Sequence, residues 1–335
     1  SYGSIINEHN CVRNSVGVFD VSHMGEFIVE GENAENFLQF CCSNDIKKLF
    51  VGRAQYNYLP NLNGGIIDDL IVYKLEDNKY LLVVNASNIQ KDWEHLNSLN
   101  KNFNAELKNI SNNISLLSVQ GPNSSKLLNK ISDFNFETSK NYMNYLTNIA
   151  GIEKVIVTST GYTGAGGYEI YCKNKNVKLI WDALFNEGKE FNVSPIGLAA
   201  RDSLRIEMGY CLYGNEISEN TSPIDAGLNW ITKIQTNFYG NNCIKEYLEQ
   251  GRKYSIMGIK SEERIIPRKG NIILDCDKNE IGRVTSGTFS PTLNTPIGIG
   301  YVLKENLNYN GEIFVDNNRK IFKAKISSLP FIKSK

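Results

Sequence analysis

Two aspartates stand side by side inside an apolar run, Gly64-Gly65-Ile66-Ile67-Asp68-Asp69-Leu70-Ile71-Val72-Tyr73, directly after Asn61-Leu62-Asn63. Side chains alternate faces along a strand, so Asp68 and Asp69 point in opposite directions. One lies with Ile66, Leu70 and Val72, the other with Ile67, Ile71 and Tyr73. Both faces are otherwise apolar, so at least one carboxylate is expected to be partly withdrawn from water. That is costly unless the group is paired or has a chemical task. The plainer reading makes the pair a cap for the Gly-Gly turn. Two aspartates in succession within the run argue against it.

A chain of 335 residues has room for two or three domains. Lysine plus arginine equals aspartate plus glutamate, 36 against 36, which argues against a nucleic-acid binder working through bulk charge and leaves only a local basic patch open. No apolar run approaches the ~20 residues that span a bilayer. Residues 1–20 carry Asn7, Glu8, His9, Asn10 and Arg13 among short apolar pieces and show no secretory signal. The chain opens as though in mid-domain, as a trimmed start would. The seven cysteines (Cys11, Cys41, Cys42, Cys172, Cys211, Cys243 and Cys276) are scattered, with no Cys-x-x-Cys, and read as reduced thiols. The three histidines, His9, His23 and His95, form no cluster, so no metal site is expected.

The first part of the chain predicts a mixture of helices and strands. Strands are expected at Val16–Ser22, Gly25–Glu30, Tyr80–Asn85 and Ile114–Gln120, and helices at Asn33–Cys42 and onward from a cap at Ser87 or Asn88. Strands at 154–158 and 168–172 are joined by a glycine-rich hairpin and followed by a helix over about 177–189. A further helix is expected from Ser194-Pro195, with proline at an early position and Gly209 at the end. Ile196, Ala200, Leu204 and Met208 form its apolar stripe, while Arg201 and Arg205 share another face. Beyond Lys253 the helical period disappears. Short strands broken by Gly270, Asp275, Gly282, Gly287 and Asn308-Tyr309-Asn310-Gly311 suggest a small antiparallel barrel or sandwich. The division expected is a mixed α+β region over 1–230, a connector over 231–252 and the barrel over 253–333.

The loop Thr158-Ser159-Thr160-Gly161-Tyr162-Thr163-Gly164-Ala165-Gly166-Gly167 lies between strands, so it is not a phosphate-binding turn leading into a helix. It reads either as a plain hairpin or as a flexible segment bringing Tyr162 and Glu169 to a flat ligand. A carboxylate at Glu169 can accept two parallel hydrogen bonds from a heterocycle presenting an N–H beside an amino group, as a pterin does. Arg201 could pair with that carboxylate or with an anionic ligand, or be an ordinary solvated helix residue. His23, in Asp20-Val21-Ser22-His23-Met24-Gly25, has no nucleophile beside it and carries no catalytic assignment.

Taken together, FDVSHMGEF (19–27), GGIIDDLIVY (64–73), VVNASN (83–88), VQGPNS (119–124), GYTGAGGYEIY (161–171), GLAARDSLRIEMGYCLYGNEI (197–217), PIDAGLNW (223–230), IGRVTSGTFSP (281–291) and IGIGYV (297–302) resemble, in order and spacing, the aminomethyltransferase or T-protein family of the glycine cleavage system. The resemblance implies a multidomain tetrahydrofolate-binding fold with a C-terminal antiparallel β-barrel. It implies transfer of a methylene from the aminomethyl-lipoyl group of H-protein to tetrahydrofolate, giving 5,10-methylenetetrahydrofolate and ammonia. It further implies lipoylated H-protein and folate as partners, no nucleic acid or membrane, and location in the mitochondrial matrix.

Carried onto this chain, the resemblance makes Asp69 the catalytic carboxylate, expected to be ionised near neutral pH from an ordinary pKa of ~3.9. Glu169 and Arg201 become pterin ligands, with Tyr56, Tyr73, Asn85, Met24, Tyr162 and Tyr210 lining the folate channel. Three departures stand out: Ala165-Gly166 where the family commonly has an acidic pair, no segment ahead of Ser1, and no tyrosine-rich tail. The alternative is a folate-binding protein that supports iron–sulfur cluster assembly without transferase activity. Its Lys-Gly-Cys-Tyr-x-Gly-Gln-Glu mark is absent, since Asn237-Phe238-Tyr239-Gly240 has no cysteine before the tyrosine. Folate-linked demethylation domains of flavin dehydrogenases are a third reading, one that needs a flavin domain.

Overall fold

The structure is a computed structural model that describes residues 1–307 and 312–333. Helix α1 (Ile5–Asn14) leads into strand β1 (Gly17–Asp20). A five-stranded sheet follows, built from β2 (Gly25–Glu30), β3 (Ala54–Pro60), β4 (Ile66–Glu76), β5 (Lys79–Val84) and β6 (Glu106–Asn109), in the order β3-β4-β5-β2-β6. Helices α2 (Ala34–Cys41) and α3 (Ile89–Asn100) cover one face, where Phe37, Leu38, Leu96 and Leu99 pack on Phe27, Val29, Leu70 and Val72. The other face carries Ile28, Ile71, Tyr73, Leu81 and Val83 and meets a second sheet.

That second sheet joins β1 to β7 (Ile114–Gln120), β8 (Asn144–Ile149), β9 (Ile152–Thr158), β10 (Gly167–Lys173) and β11 (Ser194–Pro195), in the order β11-β1-β7-β10-β9-β8. Its outer face is covered by α4 (Ser124–Asn129) and α5 (Val177–Glu187) through Leu127, Leu128, Ile180 and Leu184. Phe19, Leu116 and Tyr171 face the first sheet. The candidate site residues lie on and around these two facing surfaces. Helices α6 (Leu198–Met208) and α7 (Asn241–Gln250) precede six strands, β12 (Tyr254–Ser261), β13 (Ile272–Leu274), β14 (Glu280–Ser290), β15 (Thr295–Leu303), β16 (Glu312–Asp316) and β17 (Ile321–Ser327). These close into an antiparallel barrel around Ile259, Ile273, Val302, Val315 and Phe322. The α+β class and the C-terminal barrel therefore stand as expected. The turn placed at Asn308–Gly311 lies outside the described residues.

Two local expectations are corrected, and the turn-cap alternative for the aspartates is set aside. Ser194-Pro195 does not open a helix: it is a short strand pairing in parallel with Gly17 and Val18, and α6 begins after Gly197. A two-residue edge strand tolerates proline, which has no N–H to donate. The aspartate pair does not cap the Gly-Gly turn either, because Asn61 Oδ1 accepts from the N–H groups of Asn63 and Gly65. Asn88 stands at the start of α3 but makes no capping bond, its amide being used elsewhere.

Helix α6 ties α1, the segment from Tyr210 to Glu216 and the barrel together through charges that water does not reach. Arg205 is 1 % exposed, and its guanidinium donates to Asp202, Glu216, the Tyr210 carbonyl and Ser286 of the barrel. Glu207 receives Arg13 from α1 and the hydroxyls of Ser290 and Thr292 from the barrel. Breaking a buried pair leaves an uncompensated charge, which costs far more than the pair itself contributes. Arg205→Met should therefore lower unfolding free energy by about 3–5 kcal/mol, read as a shift in the urea midpoint, because Glu216 would be left buried and unpaired.

Candidate active site

The core of the site is a hydrogen-bond network around the two aspartates. Strands β4 and β5 pair with Leu70 opposite Val84, so Asn85, one residue beyond β5, comes level with Asp69. Its backbone N–H donates to Asp68 Oδ2 at 3.0 Å. Its side-chain amide donates to Asp68 Oδ1 at 2.9 Å and to Asp69 Oδ1 at 2.8 Å. Asn88 adds a third donor to Asp68 at 2.5 Å. Asp68 is fully buried towards α3, whereas Asp69 keeps a part-exposed edge on the opposite face, as strand alternation requires.

From β3, the Tyr56 hydroxyl donates to Asp69 Oδ2 at 2.8 Å, and the Tyr56 ring stacks on Trp230 with centroids 5.9 Å apart. Surrounding protein of low polarity pushes the pKa of Asp69 up to about 7, and the negative charge of Asp68 pushes the same way; the Tyr56 and Asn85 donors pull against them. Full ionisation near neutral pH, expected from an unperturbed aspartate, is therefore corrected. Asp69 is poised to change its protonation state near pH 7.

Glu169 on β10 forms a second group. Thr160 Oγ1 donates to its Oε2 at 2.6 Å, and the Tyr73 hydroxyl lies 3.0 Å from the same threonine oxygen and 3.2 Å from the Tyr171 hydroxyl. Burial raises the pKa of Glu169, against the Thr160 hydrogen bond and the through-space charge of Arg201. Arg201 does not form an ion pair with Glu169 among the described residues. Its guanidinium lies 4.4 Å above the Tyr162 ring, which in turn stacks on Tyr210 at 5.7 Å. The Tyr162 hydroxyl donates to the Cys211 carbonyl. Arg201 acts through space on Asp69 as well as on Glu169.

The glycine-rich loop makes this placement possible. Gly164 adopts φ +66° against the side chain of Met208 on α6, where a Cβ would collide. Ala165 is buried in the layer between the sheets. Met24 lies at the edge of that same layer, against the cluster containing Tyr73 and Tyr171. Thr160, Tyr171 and Trp230 were not singled out from sequence. Thr160 stood in the loop without distinction, and nothing local indicates that Trp230 meets Tyr56 across more than 170 residues.

Comparison with known proteins now bears on this geometry. Residues 2–236 match the GCVT N-terminal domain family, and residues 252–333 match the glycine cleavage T-protein C-terminal barrel domain. The chain is 46 % identical over 332 residues to an aminomethyltransferase of Flavobacterium psychrophilum, covering 99 % of this chain and 92 % of that protein. It is 47 % identical over 334 residues to one from Bacteroides fragilis, with the same coverage. A crystal structure of glycine cleavage system aminomethyltransferase T from Bartonella henselae superposes with a TM-score of 0.92 at 32 % identity, covering 99 % of this chain and 90 % of the other. The chain belongs to the aminomethyltransferase family of the glycine cleavage system.

It is thus a tetrahydrofolate-dependent aminomethyltransferase, and the iron–sulfur alternative is not favoured. These relatives are bacterial, which removes support for a mitochondrial location. Among the described residues no helix is long and apolar enough to cross a membrane. In an aminomethyltransferase with Asp69 titrating near neutrality, Tyr56 sets how readily that carboxyl ionises. Tyr56→Phe removes a donor that favours the anion, so the pKa of Asp69 should rise. The Asp69 carboxyl should titrate roughly one unit higher, the equivalent of one hydrogen bond to a charged group, read by infrared titration of its carbonyl stretch. An unmoved midpoint in a folded variant would separate Tyr56 from Asp69 ionisation.

Proposed function

We propose that this aminomethyltransferase takes the methylene from an aminomethyl group held as a thioether on the lipoyl arm of H-protein, with Asp69 as the reacting carboxylate. The observation that carries the reading is the Asp69 carboxyl itself. It is held by Tyr56 and Asn85, part-exposed, and poised near pH 7. A group with a pKa close to the working pH is best placed to take and return a proton.

The overall change fixes what such a group must do. The carbon of S–CH2–NH3+ gives up its bonds to sulfur and nitrogen and gains bonds to two folate nitrogens. Those nitrogens release two protons, one ending on the lipoyl thiol and one on ammonia to give ammonium. Asp69 as anion accepts a proton from a folate nitrogen and opposes the positive charge that develops on the carbon as ammonia departs. Asn85 and Tyr56 hold the carboxyl so that little reorganisation is needed at that moment.

Glu169 is proposed to accept the paired N–H groups at the pterin edge, aligned by Thr160. Arg201, Tyr162, Tyr210, Tyr73 and Met24 are proposed to form the walls against which a flat ring lies. The same reading keeps 1–230 as the folate-binding region, 231–252 as connector and 253–333 as barrel domain. Its support is that Ile231, Phe238 and Ile244 pack with Tyr58 and Ile66, ahead of the first barrel strand.

Asp69→Asn keeps shape and removes charge, so tetrahydrofolate-dependent ammonia release from aminomethylated H-protein should fall by roughly 100-fold or more while folate still binds. Near-normal release would remove Asp69 from the chemistry. Glu169→Gln presents one acceptor and one mismatched donor to the pterin edge. It should weaken folate binding by about 1.5–3 kcal/mol in calorimetry, with H-protein binding unaffected. Equal folate affinity would place Glu169 outside the site.

A further inference from the structure

Asp92, on α3, takes no part in the chemistry described above, yet its surroundings are unusual. Its side chain is fully buried, and neither carboxyl oxygen accepts a hydrogen bond from any donor among the described residues. One helical turn before it, Asn88 donates to Asp68, so the face of α3 that carries Asp92 is turned towards the Asp68 carboxyl, whose charge acts on Asp92. Lys91, the neighbouring cation, is turned away: its ammonium donates to the Tyr213 hydroxyl at 2.6 Å and pairs with Glu219 at 3.3 Å. Two neighbouring buried carboxyls are tolerable only when a proton lies between them. Three N–H groups converge on Asp68 and none on Asp92, so the negative charge belongs on Asp68 and the proton on Asp92.

We propose that Asp92 is a positioning residue: it carries a proton donated to Asp68, and this bond holds Asp68 against Asn85 so that the other Asn85 amide hydrogen is aimed at Asp69. The inference rests on the assignment of Asp69 as the reacting carboxylate. It explains a third acidic residue behind a pair that already repels itself. With a proton on Asp92, the three carboxyls share fewer charges, and the anion of Asp69 faces a better-solvated neighbour. The charged and titratable groups around Asp92 are Asp68, Asp69 and Lys91. Those around Asp69 are Asp68, Tyr56, Tyr162, Cys211 and Arg201. Burial also holds Asp92 in its neutral form.

The test compares Asp92→Asn, which still offers an N–H to Asp68, with Asp92→Leu, which offers nothing. In the full chain assayed with aminomethylated H-protein, Asp92→Asn should retain turnover to within about threefold and leave the acid limb of kcat in place. Asp92→Leu should move that limb up by about half to one pH unit, because Asp68 loses a donor and its charge bears more strongly on Asp69. Infrared difference spectra of wild type against Asp92→Asn at neutral pH should show a neutral-carboxyl carbonyl stretch lost in the variant. An unmoved limb in folded Asp92→Leu, an Asp92→Asn variant as impaired as leucine, or no lost carboxyl band would each overturn the proposal. If Asp92→Leu does not fold, the infrared comparison decides. Full turnover in Asp69→Asn would instead overturn the reading of Asp69, and the lost band would still report where the Asp92 proton lies.

Discussion

The structure depends on two ion-paired side chains that α6 buries between α1, the segment around Glu216 and the barrel. Arg205 and Glu207 lie on one short helix and send their charges to different elements: Arg205 to Glu216 and Ser286, Glu207 to Arg13, Ser290 and Thr292. Each is almost fully withdrawn from water, so neither can lose its partners without leaving a bare charge in a medium of low polarity. Such pairs add little net stability over an apolar substitute, but they permit one arrangement of the helix and penalise the others. Because α6 also carries Arg201, the same pins set how Arg201 stands over Tyr162, within electrostatic reach of Asp69 and Glu169.

The site repeats this logic with carboxyls. Asp69 would be an ordinary acid in water. Its pKa near 7 comes from surroundings of low polarity and an anionic neighbour, opposed by Tyr56 and Asn85. Asn85 is the hinge of the arrangement, since one amide bonds both aspartates although their side chains leave the strand on opposite faces. That is possible only beyond the end of β5, where the chain has left the ladder and its side chain can turn back towards β4. The Glu169 group is separate, held by hydroxyls from Thr160, with Tyr73 and Tyr171 behind it. Arg201 connects the two groups through space.

Much of this was legible in the residues. Alternation placed Asp68 and Asp69 on opposite faces, and the apolar run around them announced that a carboxylate would be taken from water. Gly209, in a left-handed conformation, ends α6 as its position indicated. The helix start was misread because Pro195 suits a first helical turn and an edge strand equally well. Only the backbone of Val18, far away in the chain, selects the strand. Asn88 was misread for a related reason: a residue able to cap a helix was given a buried carboxylate to satisfy instead.

What the sequence determined by itself was periodicity, punctuation and the family motifs: most of the longer strands and helices, the opposite faces of Asp68 and Asp69, and the family to which the chain belongs. These follow from local sterics, from hydrophobic spacing and from a shared order of motifs. Tertiary structure alone decided the charges and the partners. Arg201 lies on Tyr162 rather than pairing with Glu169, Asp69 titrates near neutrality rather than near pH 4, and Asp92 backs Asp68 from a different element. The physical reason is that a group's proton affinity and its partner depend on polarity and on donors within a few ångströms. Those neighbours are gathered from distant parts of the chain.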